Sequence, residues 1–599
     1  VAFYRLSALR VDEKRPNLVF WVGFSVLNAL FFLPIYLLNR ETTPLFPPLS
    51  IFADGLWIGL TRLFLWRENL DPFRLGLEMT LLIALWVNVR ILQRPIFRVI
   101  IAIVYVLAFC YYLYEAIIVS IYHADPVFFS QYYLARDGIP FLAQHAHASL
   151  WLYALAIVGV LAALLAILIL INTLLDSGAA PKLTRATRIA MALLATLSVF
   201  AAFRYQIYTA KPEMILSSLT FKLEKNVADS FALYRDISSF DDAAMRQAYD
   251  YRAYALDKKP NIYLIFVESY GSVLYKRADY RAAYTKLLSE LEQQLNKGGW
   301  QATSALSESP TWGGGSWMAY TSTLFGLRID NHPQYLSLLN KYQVESYPDL
   351  GRYLKTQGYY YAWISSIADE LDDRMWNRYI RFLGVDQWLR YRDLDYNGPL
   401  YGWGPAPPDQ YVLNYANQVL QKQTDQPLFF VTITQNSHFP WLPQPPVIED
   451  WRTFNKMTMT PDETDVAPGE PTNKRQNYLN AVEVQLRMLT DLILNSGDEE
   501  SLFILVGDHQ PPQVAGRFDG WATPVHVISQ DPALIDIFAQ YGFTPGLKAK
   551  TTTPTLHHEG NYSLFVRALL ERDGVDPQAL PAYLPNGVRA EAQIKTALP

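Results

Sequence analysis

Along this 599-residue chain the apolar positions change character once, near residue 210. Before that point they form long continuous runs. After it they form short runs separated by stretches with helical spacing. Crossing the ~30 Å hydrocarbon core of a membrane takes about 20 apolar residues. Runs at 17–38, 96–121, 149–173 and 187–208 meet that length. A fifth, 75–92, is interrupted by Glu78 and Asn88. The stretch 51–66 (IFADGLWIGLTRLFLW) carries Asp54 and Arg62 and reads as an amphipathic helix lying in the interface. Intramembrane charges are few and no inverted repeat is visible, so these spans read as an anchor rather than a transport path.

Residues 212–258 are a mixed connector, helical in part. Beyond it, three short apolar runs rich in β-branched and aromatic residues predict strands buried on both faces of a parallel sheet. They are IYLIFV, ending at Glu268; PLFFVTITQNSHFP, ending near His438; and SLFILVGDHQPP, ending at Asp508 and His509. Helical spacing appears between them at 284–299, 347–359 and 478–497. Strands alternating with helices predict an α/β sandwich with a mostly parallel central sheet. The domain plan is therefore 1–210 for a multi-pass α-helical membrane domain, 211–258 for the connector and 259–599 for the α/β domain.

Charge sharpens this division. Residues 1–211 hold 17 Lys and Arg against 11 Asp and Glu, and the remainder holds 34 against 45. An acidic second part argues against nucleic acid as a partner. The single cysteine, Cys110, excludes a disulfide framework or a cysteine metal site within one chain. Arg5, Arg10, Lys14 and Arg15 place the N-terminal tail in the cytoplasm, as do Arg90, Arg94 and Arg98, and Lys182, Arg185 and Arg188, for two of the loops. The loop 122–148 then lies outside. With five spans, everything after about 210 is extracytoplasmic.

The candidate chemistry sits at the strand ends. Ligands of parallel α/β sheets bind outside the carboxyl ends of the strands. Three such ends presenting Glu268, His438 and Asp508–His509 suggest a metal site, and oxygen with imidazole suits Mn²⁺, Zn²⁺ or Mg²⁺. The segment ESPTWGGGSW (308–317) leads into a predicted helix over 315–326. Free N–H groups at a helix N-terminus bind phosphate, and glycines let backbone approach a ligand closely. Thr311 stands at the mouth of that site, where a hydroxyl bound to a dication can attack phosphorus. Taken alone, the same residues also make a tight turn with Thr311 as a cap.

These motifs resemble the lipoteichoic acid synthase family, polyglycerol-phosphate transferases within the alkaline phosphatase and sulfatase superfamily. The resemblance rests on IYLIFVES, SPTWGGGS, MWNR, WGPAPPDQ, NSHFP and VGDH. It implies an alkaline phosphatase-like domain, one divalent metal (Mn²⁺ first, Zn²⁺ or Mg²⁺ as alternatives) held by Glu268, Thr311, Asp508 and His509, and Thr311 as nucleophile. It implies that Trp376, Arg378 and His438 contact the phosphoglycerol group. By resemblance, the donor is a phospholipid, phosphatidylglycerol first, and the acceptor a glycan, glycolipid or polyglycerol-phosphate chain. The place is the bacterial plasma membrane, with the catalytic domain outside. Two departures stand out: Asp369 replaces a family histidine, and Trp312 with the glycines replaces a polar stretch after Thr311. Phosphoethanolamine transfer is the second reading; a sulfatase-fold hydrolase or a non-catalytic envelope scaffold ranks lower. No Cys or Arg accompanies SESPTW as a sulfatase motif requires. His557 and His558 read either as part of a second metal set or as a helix lead-in. Residues 444–475 read as a flexible insertion.

Overall fold

The structure, a computed structural model, describes residues 15–65, 70–145, 150–179, 181, 183–204, 215–238, 240, 242–368, 371–402, 405–458, 471–496, 500–550 and 553–589. Arg5, Arg10, Lys14, Lys182 and Asp369 lie outside these residues. The chain divides into two compact units, Val1–Leu233 and Tyr234–Pro599. Of the expected connector, the described residues 215–233 therefore fall in the first unit.

Among the described residues of the first unit, four helices are long and apolar enough to cross a membrane: α1 (Pro16–Leu38), α4 (Pro95–Tyr122), α6 (Leu150–Ala179) and α7 (Arg185–Arg204). The expected interfacial segment holds α2 (Leu56–Phe64), and the expected fifth span is α3 (Leu77–Asn88). At 1.5 Å per residue, these two are roughly 14 and 18 Å long, short of the hydrocarbon core. Helix α3 stops because Asn88 Nδ2 turns back to Ala84 O, at 2.9 Å, and Val89 is extended. Residues 122–148, expected as a loop, contain α5 (Phe128–His145). Its start is fixed by Asn226 Oδ1, which accepts from Phe128 N at 2.6 Å. The core of the unit is aromatic: Phe31 of α1 stacks on Tyr105 of α4 at 4.6 Å, and Tyr105 donates its hydroxyl to Leu27 O.

Two short strands, β1 (Leu75–Gly76) and β2 (Leu216–Ser217), pair in parallel just before α3 and α8 (Leu219–Ser238). Glu78 of α3 accepts from Leu219 N at 2.9 Å, Thr220 N at 3.0 Å and Ser218 Oγ at 2.5 Å. Lys222 of α8 forms a buried ion pair with Glu115 of α4. Leu223, Val227 and Phe231 stand exposed on another face of α8.

The second unit is built on a nine-stranded sheet. Its strands are β3 (Ile262–Val267), β4 (Gln301–Glu308), β6 (Tyr360–Ile364), β7 (Gln387–Leu389), β8 (Leu428–Ile433), β9 (Leu502–Gly507), β10 (Ala522–Ser529), β11 (Thr544–Pro545) and β12 (Leu556–His557). β5 (Leu327–Arg328) and β13 (Val588–Arg589) pair separately. The order is β11-β4-β10-β9-β3-β8-β6-β7, with β12 beside β4. From β9 to β7 every pairing is parallel, and β10 runs antiparallel to both its neighbours. Alternation explains why β3 is apolar throughout: Ile262, Leu264 and Phe266 face one core, and Tyr263, Ile265 and Val267 the other. Helices α12 (Ser316–Phe325), α13 (His332–Tyr342) and α14 (Leu350–Thr356) cover the first face; α11 (Ala278–Lys297), α16 (Asp409–Gln423) and α17 (Pro471–Leu494) cover the second. Between α14 and α16, α15 (Asp373–Leu383) buries Phe382 against α12.

Strand β4 escapes a reading by hydrophobicity because QATSALSE is small and polar. Its serines are satisfied inside the core: Ser304 Oγ meets His526 Nδ1 at 2.7 Å, and Ser307 Oγ meets His558 Nδ1 at 2.9 Å. The expected flexible insertion is partly anchored. Phe454 is fully buried, and Gln410 holds Ile448 N and O. Residues 459–470 of it lie outside the described residues.

Candidate metal centre and active site

Register assembles the centre. Strand β3 pairs with β9 so that Val267 stands opposite Gly507. The next residues, Glu268 and Asp508, therefore emerge side by side at the carboxyl edge of the sheet. Gly507 is required there, since a Cβ on it would lie 2.0 Å from Tyr270 O. Glu268, Asp508 and His509 offer ligand atoms within 4.8 Å of one another, and all three are buried. Among the described residues, this is the group of His, Cys, Asp and Glu that suits a metal ion.

Each side chain is held by a partner behind it. Asp508 Oδ1 accepts from Ser269 N at 2.8 Å and from His509 N at 2.7 Å. Ser269, a residue the sequence reading passed over, adopts φ +56°, a conformation that costs about 1–3 kcal/mol outside glycine. Three bonds enforce it: its N–H to Asp508, its hydroxyl to Glu268 Oε1 at 2.8 Å, and its carbonyl from Tyr478 OH at 2.9 Å. His509 gives Nδ1–H to Gln510 O at 2.8 Å. That bond leaves the Nε2 lone pair facing Asp508 Oδ2 at 3.4 Å and Glu268 Oε1 at 3.5 Å, the tautomer a metal ligand needs.

The electrostatics of the cluster suit a divalent cation. Burial, and then the Glu268 charge, push the Asp508 carboxyl well above the usual carboxylate range. Burial also pushes the His509 imidazole below its ordinary value, so it is neutral and can ligate. Asp508 Oδ2 is buried with no hydrogen-bond partner among the described residues. A buried carboxylate oxygen left so is costly unless a charge meets it. Two carboxylates and an imidazole therefore fit a divalent ion.

Ser316, also absent from the sequence reading, joins the cluster. Its Oγ lies 3.2 Å from Glu268 Oε2 and 3.4 Å from His509 Nε2. It opens α12 as the first helical residue after Gly315, which adopts φ +72°. The signal was present: a hydroxyl at the head of the predicted helix. Thr311, the expected metal ligand and nucleophile, stands at the start of the glycine turn that leads into α12. Its Oγ1 donates to Gly314 O at 2.5 Å and is 3.4 Å from Gly313 O, and no hydrogen bond joins it to the cluster among the described residues. The physical reason is the glycine turn, whose carbonyls are its nearest acceptors.

His438 follows β8 and exerts a charge effect on both Glu268 and His509. Its loop is pinned by Asp409, which accepts from Gln435 N at 2.9 Å and Asn436 N at 2.8 Å. Trp376 and Arg378 sit on α15. Trp376 is buried against Trp388 at 5.1 Å, and its Nε1 has no partner among the described residues. Arg378 donates to Asn340 Oδ1 of α13 at 2.7 Å. His558 lies in the core between Ser307 Oγ and Gly507 O, and His557 meets Glu559 Oε1 at 3.2 Å. These two lead into the helix Gly560–Arg572 rather than into a second metal set.

Residues 260–553 match the family model described as Sulfatase. Similar solved structures include the lipoteichoic acid synthase LtaP from Listeria monocytogenes, with 14% identity, 48% of this chain and 70% of that chain covered, and a TM-score of 0.32. The Streptococcus pyogenes phosphoglycerol transferase GacH, in complex with sn-glycerol-1-phosphate, has 16% identity, coverage of 56% and 81%, and a TM-score of 0.33. The C-terminal periplasmic domain of EcEptC from Escherichia coli has 15% identity, coverage of 55% and 87%, and a TM-score of 0.35. The curated proteins contain no match to this chain. The family match takes in every strand of the sheet but the short β12, and all three residues of the metal cluster, so the C-terminal unit of this chain holds a sulfatase-like domain.

Proposed function

We propose that this protein is a membrane-bound, metal-dependent phosphotransferase that moves phosphoglycerol from phosphatidylglycerol to a hydroxyl of an envelope glycan, glycolipid or polyglycerol-phosphate chain. The observation that carries the reading is the buried Glu268–Asp508–His509 cluster with a hydroxyl at its edge, on the first turn of a helix. A divalent ion held by these residues supplies charge neutralisation at the phosphoryl group. The chain supplies the rest. A hydroxyl of the segment 311–316 attacks phosphorus, diacylglycerol leaves, and the phosphoryl group rests on the protein as an ester. An acceptor hydroxyl then takes it. Arg378 offers a planar fork of donors to phosphate oxygens. Trp376 walls the glycerol, and His438 moves the proton between the attacking and leaving oxygens. The four long apolar helices support a site held close to its lipid donor, on the outer face of the plasma membrane.

Phosphoethanolamine transfer is the second reading, favoured by one observation. Asp369 puts a carboxylate where the family has a histidine, and a carboxylate suits an ammonium head group. Full-length protein in vesicles of phosphatidylglycerol and phosphatidylethanolamine, supplied with Mn²⁺, separates the readings. Diacylglycerol release with a phosphoglycerol adduct on the protein supports the first. A phosphoethanolamine adduct supports the second. Neither adduct nor release, with metal bound, sinks both.

A further inference from the structure

We infer that Ser316, rather than Thr311, is the hydroxyl that accepts the phosphoryl group. This rests on the phosphotransferase reading and goes further by naming the reacting atom. Position is the first argument. Ser316 Oγ lies within 3.4 Å of two of the three cluster residues, at Glu268 Oε2 and His509 Nε2. Thr311 Oγ1 is committed to Gly314 O at 2.5 Å. The three glycines fold the chain between these two hydroxyls. Gly314 and Gly315 both take left-handed φ values, +63° and +72°. A Cβ on Gly315 would stand 3.6 Å from Thr311 Oγ1. Thr311 thus lies behind the turn, and Ser316 in front of it.

Access is the second argument. Thr311 is buried, with 3% of its surface exposed, whereas Ser316 is half-buried. A phospholipid head group must reach the attacking oxygen, and only the second of these hydroxyls is open to it. The helix is the third. Ser316 is the first residue of the ten-residue α12, and no side chain caps that end. Met318 N already donates to Gly315 O at 2.8 Å, so within the first turn it is the N–H groups of Ser316 and Trp317 that can serve the phosphoryl oxygens of a group bonded to Ser316 Oγ. Ser269, another hydroxyl near the cluster, is buried and spends its hydroxyl on Glu268 Oε1 at 2.8 Å; those of Ser309 and Ser437 are spent on the carbonyls of Asp508 and Glu268.

The step balances simply. Ser316 Oγ forms a bond to phosphorus, the bond from phosphorus to the diacylglycerol oxygen breaks, and the Ser316 proton ends on the diacylglycerol hydroxyl. In the second half, an acceptor hydroxyl oxygen bonds to phosphorus, the Oγ–P bond breaks, and the acceptor proton returns to Ser316. No oxidant or further co-reactant is needed.

The test localises the adduct. Full-length protein is incubated with phosphatidylglycerol vesicles and Mn²⁺, quenched, and cleaved with trypsin. One peptide, 298–328, carries both hydroxyls, and fragmentation places the added mass. The expected result is phosphoglycerol on Ser316, absent from Ser316→Ala, retained in part by Ser316→Thr, and still on Ser316 in Thr311→Val. Ser316→Ala should lower diacylglycerol release on the order of 10⁴-fold or more, while metal content stays near that of the wild type. Added mass on Thr311, or an adduct that survives Ser316→Ala and disappears in Thr311→Val, overturns this inference and leaves the phosphotransferase reading standing. No adduct on any residue, and no diacylglycerol, overturns both.

Discussion

Changing Asp508 to Asn should have opposite effects on stability with and without metal. In the metal-free protein, Asp508 and Glu268 are two buried carboxylates whose ligand atoms lie within 4.8 Å. Unit charges at that distance repel by about 3.5 kcal/mol at an effective dielectric of ~20. Where both are ionised, asparagine removes one of the charges; where Asp508 keeps its proton, asparagine is equally neutral, and in either case it keeps the shape. Its Oδ1 still accepts from Ser269 N and His509 N, and its amide can donate toward Glu268 Oε1 or His509 Nε2. With chelator present, Asp508→Asn should therefore unfold at a higher temperature than the wild type. The sign with pH follows from the raised Asp508 carboxyl. The folded wild type keeps that proton where the unfolded chain has lost it, so its stability falls as pH rises above the ordinary carboxylate range. The advantage of Asn should be larger at pH 8 than at pH 5. With Mn²⁺ the order reverses. A ligand at a thousand times its dissociation constant stabilises by about 4.1 kcal/mol, which exceeds the repulsion, and only the wild type should gain it. The assay is thermal unfolding of the full-length protein in detergent, followed by tryptophan fluorescence, in chelator and in a Mn²⁺ series. If Asp508→Asn is the less stable protein in chelator, or if the wild-type midpoint ignores Mn²⁺, the cluster is not a metal centre of this kind.

Three further outcomes can be checked. His526, pushed down to about 3 by burial, and His558, pushed down to about 4, are neutral in the folded domain. Their contribution is present above pH ~6.5 and is lost as pH falls through 4 toward 3, at roughly 3 kcal/mol for His558 alone; His526→Gln should flatten the acid limb of a pH–stability curve. Gly315→Ala places a Cβ 2.5 Å from Met318 Cε in a left-handed conformation, so it should cost about 1–2 kcal/mol in unfolding experiments and slow diacylglycerol release. Arg378→Lys replaces a planar fork with a point charge; it should raise KM for phospholipid with metal content unchanged, and an unchanged KM would remove Arg378 from the head-group site.

The three apolar strands were legible because burial on both sheet faces leaves an uninterrupted apolar run, as in IYLIFV. Their terminal residues followed, since parallel register carries Glu268 and Asp508 to the same edge. Two things were not legible. Strand β4 hides because serines satisfied by His526 and His558 look like a loop in one dimension. The choice between Thr311 and Ser316 depends on which way three glycines turn, and glycine's freedom is what a sequence does not resolve. Helix α5 was hidden for a related reason. Part of its start is set by Asn226, about a hundred residues later in the chain.

Glu78 ties the timing of synthesis to the start of α8. Its carboxylate receives the first N–H groups of that helix from 141 and 142 residues earlier in the chain. At the usual pace of translation, α3 emerges roughly 7–30 s before Leu219 does. The cap is thus already made, and waiting among the apolar helices, when α8 is completed. A fragment begun at residue 215 would carry α8 without that partner, with Lys222 stripped of Glu115 beside the already exposed Leu223, Val227 and Phe231. Such a fragment should aggregate, whereas one begun after Ser238 leaves the helix behind.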